Sequence, residues 1–213
     1  MLMGSVSAWL VCRAVEHRVV PVTADLVEGA ALAVARGFAD NEIWVWMLGG
    51  EKRVRRALPR HYRAMLRHVY ARRGSAWTTP DTLGGAFWYP PGTFAHSAGE
   101  RFWEAASLMP HALTSIGRAA RWEELIHAHH PAEPHWYLNT LAVDPDAQRG
   151  GVGSALIGPG LERADADGVG AYLETQRRAN IPFYRRFGFE ETEEIKLPDS
   201  PPLWLMWRPA RGS

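Results

Sequence analysis

Hydrophobic and polar positions along the chain lay out a succession of elements. Residues 18–22 read as a first strand, and Pro21 points to an edge or a strand end. Thr23 supplies an N-cap, after which Leu26, Ala30, Ala33, Val34 and Phe38 recur at helical spacing. Val54, Leu58, Tyr62, Met65, Leu66 and Val69 fall on one face of a second helix within residues 51–73. Pro59 predicts a kink or a restart there, because proline has no N–H and clashes with the preceding turn. Residues 75–79 and 84–89 are short β-rich runs around a turn at Pro80–Asp81, which predicts a hairpin. Residues 100–129 look helical, with a break near Pro110. Residues 136–143 read as strand, 151–167 as helix, 171–175 as strand and 180–187 as a short helix. Residues 189–193 and 203–207 complete the pattern as strands. Strand–helix–strand with short connections implies a right-handed crossover and parallel neighbours. The hairpin implies antiparallel ones, so the fold class is α/β with a mixed, mostly antiparallel central sheet and flanking helices.

The 213 residues fit one domain over residues 16–213, with residues 1–15 as an N-terminal extension. Hydrophobic residues make up 46% and charged residues 22%, which excludes general disorder. Cys12 is the only cysteine, so a disulfide scaffold is excluded. The apolar run at residues 8–12 is far short of a membrane span or a signal-peptide core, and no other run in the sequence approaches a span. The expectation is a cytoplasmic protein without a membrane partner. A net charge of +1 gives no reason to expect nucleic acid. Residues 51–73 carry nine Lys or Arg against one acid, which reads as a solvated basic face.

The segment that carries chemistry is Leu141-Ala142-Val143-Asp144-Pro145-Asp146-Ala147-Gln148-Arg149-Gly150-Gly151-Val152-Gly153-Ser154. A strand ends, a tight loop follows, and glycines open a helix. Amides at a helix start have no intrahelical partner and sit at the positive end of the dipole, so they suit phosphate. Gly150, Gly151 and Gly153 let a pyrophosphate approach the backbone with no Cβ in the way. Gly-Lys-Ser/Thr is missing, which excludes a Walker loop. The glycine spacing also fails the dinucleotide fingerprint.

Gln148-x-x-Gly151-x-Gly153 after a strand ending in Val-Asp-Pro resembles motif A of the GNAT acetyltransferases. Asn180-Ile181-Pro182-Phe183-Tyr184-Arg185-Arg186-Phe187-Gly188-Phe189 is similar to the family's Asn, Phe-Tyr, Gly-Phe signature. These motifs span residues 136–190. More narrowly, Pro131 to Leu138, Pro159-Gly160 inside a helix and Leu173-Glu174-Thr175 resemble puromycin N-acetyltransferase and its actinobacterial relatives. The family resemblance implies a parallel, splayed strand pair and acetyl-CoA as acetyl donor, with no metal. It implies that Leu141, Ala142 and Val143 pair with the pantetheine amides like an added strand. The pyrophosphate would rest on amides of residues 148–154 (Gln148, Arg149, Gly150, Gly151, Val152, Gly153, Ser154), with charge from Arg149. Asn180 and Phe183 would hold the cofactor. Tyr184 would protonate the departing thiolate, and a backbone N–H of the splayed strand would face the oxyanion.

Other residues are read beside these. Glu174, at the end of the strand bordering the acyl site, is a candidate base. His127, His129, His130 and His135 cluster in sequence, but prolines break their spacing and loop histidines are expected rather than a metal site. Asn139 and Thr140 lie on the cofactor strand and are candidates to touch substrate. Phe38, Trp44, Trp46, Phe87, Trp88 and Tyr89 are expected to line an apolar acceptor pocket. The acceptor is expected to be a small-molecule primary amine; a lysine or N-terminal amine of a protein and a non-catalytic CoA sensor are the alternatives. A homodimer remains open.

Overall fold

The computed structural model describes residues 17–95, 97–109, 111 and 115–211. The proposed extension, Cys12 and Pro110 lie outside these residues.

The seven strands are β1 (Val20–Pro21), β2 (Ala76–Thr78), β3 (Gly84–Tyr89), β4 (His135–Val143), β5 (Gly170–Thr175), β6 (Glu190–Ile195) and β7 (Leu203–Arg208). They form one sheet in the order β1-β2-β3-β4-β5-β7-β6. Only β4 and β5 pair in parallel; every other pairing is antiparallel. The sheet is thus mixed and mostly antiparallel, as the pattern predicts.

Helices α1 (Val27–Gly37), α2 (Glu42–Leu48), α3 (Glu51–Met65), α4 (Ala98–Leu108) and α5 (Ile116–His129) precede β4 or lie between β3 and β4. Helices α6 (Val152–Ala166) and α7 (Ile181–Arg185) follow it. Two apolar cores result. One joins Ala30, Val34, Leu58, Tyr62 and Tyr70 to Phe87, Tyr89, Tyr137 and Tyr172. The other joins Val152, Leu156, Ile157 and Tyr184 to Trp77, Trp88, Trp136 and Leu173. Side chains of neighbouring strand residues thereby part to opposite faces. Among the described residues no helix is long and apolar enough to cross a membrane.

Three local expectations need correction. Thr23 does not cap α1: its hydroxyl bonds Asp25, its carbonyl closes a turn on the Leu26 amide, and the helix begins one turn later. Nor does Pro59 break α3, which continues to Met65. The carbonyl deprived of its partner belongs to Arg55, on the exposed side. The irregularity comes later, as a π-type turn over Leu66–Tyr70 and a 3-10 turn over Ala71–Arg73. The basic face is also less free than expected. Arg63 and Arg67 grip Glu28 of α1, Arg60 donates to carbonyls at the end of α4, and Arg73 pairs with Glu100.

Pro159 and Gly160 both lie inside α6, and Gly160 is there for a packing reason. A Cβ at Gly160 would collide with the buried indole of Trp88, so the missing side chain lets α6 lie flat on β3. Gly37 has the same role at the end of α1, where a Cβ would come 2.8 Å from the Val143 carbonyl. That contact brings the end of α1 against the end of β4.

Candidate active site

The parallel pairing of β4 and β5 runs from His135↔Gly170 to Leu138↔Leu173 and stops. Its cause lies on the other edge of β4. Trp88 pairs with Leu138 and Phe87 with Thr140, so Asn139 is an extra residue in β4. Such a bulge bends the strand and increases its twist. Beyond it, β4 follows β3 and leaves Glu174 and Thr175 of β5 behind. The Asp144 amide donates to the Leu83 carbonyl on the β3 side. Alternation then turns the amides and carbonyls of Leu141 and Val143 toward the gap.

The gap opens into a cleft of about 610 Å³. Leu141, Ala142, Val143, Gln148, Arg149, Gly151, Val152, Gly153, Ser154, Glu174, Asn180, Phe183 and Tyr184 all line it. Of the predicted cofactor and catalytic residues only Gly150 does not; its carbonyl accepts a hydrogen bond from His17 Nε2 at 2.8 Å instead. Of the two candidates to touch substrate, Asn139 lines the cleft and Thr140 is buried off it, its hydroxyl donating to Asn139 Oδ1. The loop before α6 is shaped for an anion. Arg149 has φ +65° and Gly151 φ +92°, both left-handed, and successive turns of this kind make amides converge. No side chain caps α6, and its first helical bond runs from the Ala155 amide to the Gly151 carbonyl. The amides of Val152, Gly153 and Ser154 therefore have no partner within the helix. Arg149, Arg177 and Arg186 add positive charge to the lining. Gln148 donates to the Val143 carbonyl at 3.2 Å and holds the loop to the strand end. Free strand-edge amides, a phosphate-sized amide nest and flanking cations are the donor set that an extended pantetheine diphosphate needs.

Two ionisable groups, Tyr184 and Glu174, line the same cleft. Tyr184 is buried, and burial raises its hydroxyl well above the ordinary tyrosine range, so it stays protonated. The carboxyl of Glu174 is pushed up to about 7 by desolvation, against hydrogen bonds that favour its anion. Its Oε2 accepts from the Tyr137 hydroxyl at 2.5 Å, and its Oε1 is buried with no hydrogen-bond partner. Asn180, at the start of α7, donates to Thr175 Oγ1 at 3.3 Å, tying that helix to the end of β5.

The turn between α1 and α2 closes one side. Asn41 caps α2 by accepting from the Ile43 and Trp44 amides, and its Nδ2 donates to Gln176 Oε1 at 3.2 Å. Arg177 pairs with Asp40 at 2.9 Å. These contacts strap the turn to the segment after β5.

The expected aromatic acceptor pocket is not assembled. Phe38 lines the cleft. Trp44 packs on His61 and Tyr62, and Trp46 on Trp122. Phe87 and Tyr89 belong to the core beneath α1 and α3, whereas Trp88, one residue out of phase, faces α6. A second cavity of about 520 Å³ lies on the far side of Tyr137, lined by Tyr89, Phe94, His130 and His135 among others. His130 stacks on Phe94 at 4.0 Å, and burial lowers its pKa to about 4. Among the described residues no group of three or more His, Cys, Asp or Glu is placed to hold a metal ion. His129 and His135 are each tied to a backbone carbonyl.

Sequence reasoning missed Tyr70, Tyr137, Asn41 and Gln176. Only Tyr137 carried a signal, as a hydroxyl-bearing residue two before Asn139 in the same strand.

Comparison with known proteins agrees with this geometry. Residues 92–189 match the acetyltransferase (GNAT) family model. The chain is 37% identical over 62 residues to an uncharacterized N-acetyltransferase of Methanocaldococcus jannaschii, covering 28% of this chain and 27% of that protein. It is 38% identical over 74 residues to a mycothiol acetyltransferase of Saccharomonospora viridis, covering 30% and 24%. The chain thus spans about a quarter of the length of these curated relatives. A crystal structure described as a histone acetyltransferase and related acetyltransferase from Corynebacterium glutamicum superposes with a TM-score of 0.71. Its sequence identity is 25%, over 93% of this chain and 98% of that one.

Proposed function

We propose that this chain, an acetyltransferase of the GNAT type by its fold and family-model match, moves the acetyl group of acetyl-CoA directly to a primary amine of a small molecule. The observation that carries the proposal is the bulge-opened gap, with free strand amides, an uncapped helix start and two proton-handling groups lining one cleft.

When bound, the donor supplies a thioester carbonyl and a thiol leaving group. The rest follows from the residues. The outward edge of Leu141 and Val143 aligns the pantetheine arm, and the amides of residues 152–154 hold the diphosphate. Glu174, on the cleft wall, accepts the amine's proton as the C–N bond forms and releases it to solvent before the next turnover. A β4 amide at the splay stabilises the developing oxyanion. As the C–S bond breaks, Tyr184 donates its proton to the sulfur and is re-protonated from solvent before the next turnover. Protons balance: one leaves the amine to Glu174 and one reaches the thiolate from Tyr184.

A small acceptor is favoured over a protein segment because the α1–α2 turn is strapped across the acceptor side by Asp40–Arg177 and Asn41–Gln176. The likeness of residues 131–138 to puromycin N-acetyltransferase points the same way. Thiol release from acetyl-CoA, measured with a panel of small amines and with lysine-containing peptides, tests the reading. Mass spectrometry identifies the product. Acetylation of small amines supports the proposal, acetylation of peptides alone redirects it, and no turnover with either refutes it.

A further inference from the structure

Glu174 does not stand alone. The Tyr70 hydroxyl donates to Asn139 Oδ1 at 2.6 Å, Asn139 Nδ2 donates to the Tyr137 oxygen at 3.1 Å, and Tyr137 donates to Glu174 Oε2 at 2.5 Å. Donor counting fixes the direction of every link. Asn139 Oδ1 also accepts from Thr140 Oγ1 at 3.1 Å. An ionised carboxylate only accepts, so the single Tyr137 proton goes to Glu174; Tyr137 must then accept from the Asn139 NH2, which leaves Oδ1 to accept from Tyr70 and Thr140.

Two of the three links depend on an irregularity of the fold. Tyr70 closes the π-type turn Leu66–Tyr70, and Asn139 is the bulge residue of β4. Both irregularities interrupt otherwise regular elements, and π-turns and bulges recur at functional sites. Here they converge on one carboxylate.

We propose that Tyr70, Asn139 and Tyr137 are positioning residues, a one-way chain of donors that commits Glu174 Oε2 and holds the carboxylate at the wall of the cleft where the amine arrives. The proposal rests on the reading of Glu174 as the base. Aligned donors polarise one another, and hydrogen bonds to the charged form of a carboxyl favour ionisation. The chain thus counteracts burial and keeps Glu174 titrating near neutrality rather than far above it.

The neighbouring charges are few. Tyr172, two residues before Glu174 on the same face of β5, is raised by burial and then by the charge of Glu174 itself, against which its hydroxyl lies, and more weakly by Glu193 of β6. His130, after α5, and His135, at the start of β4, pack on Tyr172. Glu104 of α4 acts on Tyr70 and Tyr89, and Arg73 lies over the Tyr89 ring. The ion pair nearest in sequence, Arg177–Asp40, is on the exposed strap.

The test is an NMR titration of the carboxyl carbons in glutamate-labelled full-length protein, with E174Q identifying the resonance. Y137F removes the direct donor and should raise the Glu174 midpoint by about one pH unit, the scale of one net hydrogen bond to a charged group. Y70F, three links from the carboxylate, should raise it by a smaller amount in the same direction. A midpoint unmoved in both variants overturns the proposal. Should Y137F fail to fold, Y70F and N139L carry the test, and an unmoved midpoint in these two also overturns it. Full acetyl transfer by E174Q would instead overturn the reading of Glu174 as base, and the titration distinguishes the two failures.

Discussion

Replacing Glu174 with Gln should stabilise the unliganded protein in alkaline solution while removing its activity. The side chain is buried, and its carboxyl titrates at about 7 against an ordinary 4.5. Below pH 4.5 the carboxyl is protonated in both folded and unfolded chains and contributes no pH dependence. Between 4.5 and 7 the folded state holds the proton and the unfolded state has lost it. Stability therefore falls as pH rises through this window and levels off above 7. The gap, multiplied by 1.36 kcal/mol per pH unit, gives a penalty of about 3 kcal/mol above pH 7. Gln can keep its oxygen on the Tyr137 hydroxyl and place its NH2 where Oε1 now has no partner. It escapes the penalty without changing shape. For a chain of this size the gain corresponds to roughly 5–10 °C in melting temperature. The assay is thermal unfolding of wild type and E174Q at pH 5 and pH 8.5. The expected result is near coincidence at pH 5 and the full difference at pH 8.5, with turnover lower by about 10²-fold or more. A pH-independent difference, or a less stable E174Q at pH 8.5, would refute the claim that Glu174 is desolvated in the apo cleft.

Three other substitutions or treatments have distinct outcomes. Y184F removes the proton donor and keeps the ring, so turnover should fall by roughly 10²-fold while acetyl-CoA affinity holds; normal turnover in steady-state kinetics would make Tyr184 structural. G153A places a Cβ 3.5 Å from Val143 Cγ2, an ordinary contact, so the fold should tolerate it or gain about 0.5–1 kcal/mol from helix propensity. Calorimetry should nevertheless show acetyl-CoA binding weakened by about 10-fold, the scale of one lost charge-assisted amide bond; unchanged affinity contradicts the phosphate nest. Chelation with EDTA should leave activity intact; loss that zinc restores would mean that the histidines bind a metal after all.

The sequence carried the succession of strands and helices because period-2 and period-3.6 patterns are local. It also carried the phosphate loop, because glycines at a helix start are a backbone requirement written directly into the residues. Three features were not legible. The bulge at Asn139 shifts β4 by one residue relative to β3, and a strand pattern read alone has no partner against which to count. The chain from Tyr70 through Asn139 and Tyr137 to Glu174 joins residues up to 104 positions apart, from 70 to 174, through contacts that only the folded sheet creates. The aromatic pocket failed for a related reason. Trp88 was grouped with Phe87 and Tyr89 by composition, but alternation along β3 sends it to the opposite face, onto Gly160.

The most direct test is a crystal structure of the protein with acetyl-CoA. The account predicts the thioester in the gap between Asn139 and Glu174, with the sulfur beside the Tyr184 hydroxyl. It also predicts diphosphate oxygens at about 2.7–3.2 Å from the amides of Val152, Gly153 and Ser154. A ligand seated instead in the second cavity, against Tyr89, Phe94 and His130, with the gap between β4 and β5 empty, would contradict it.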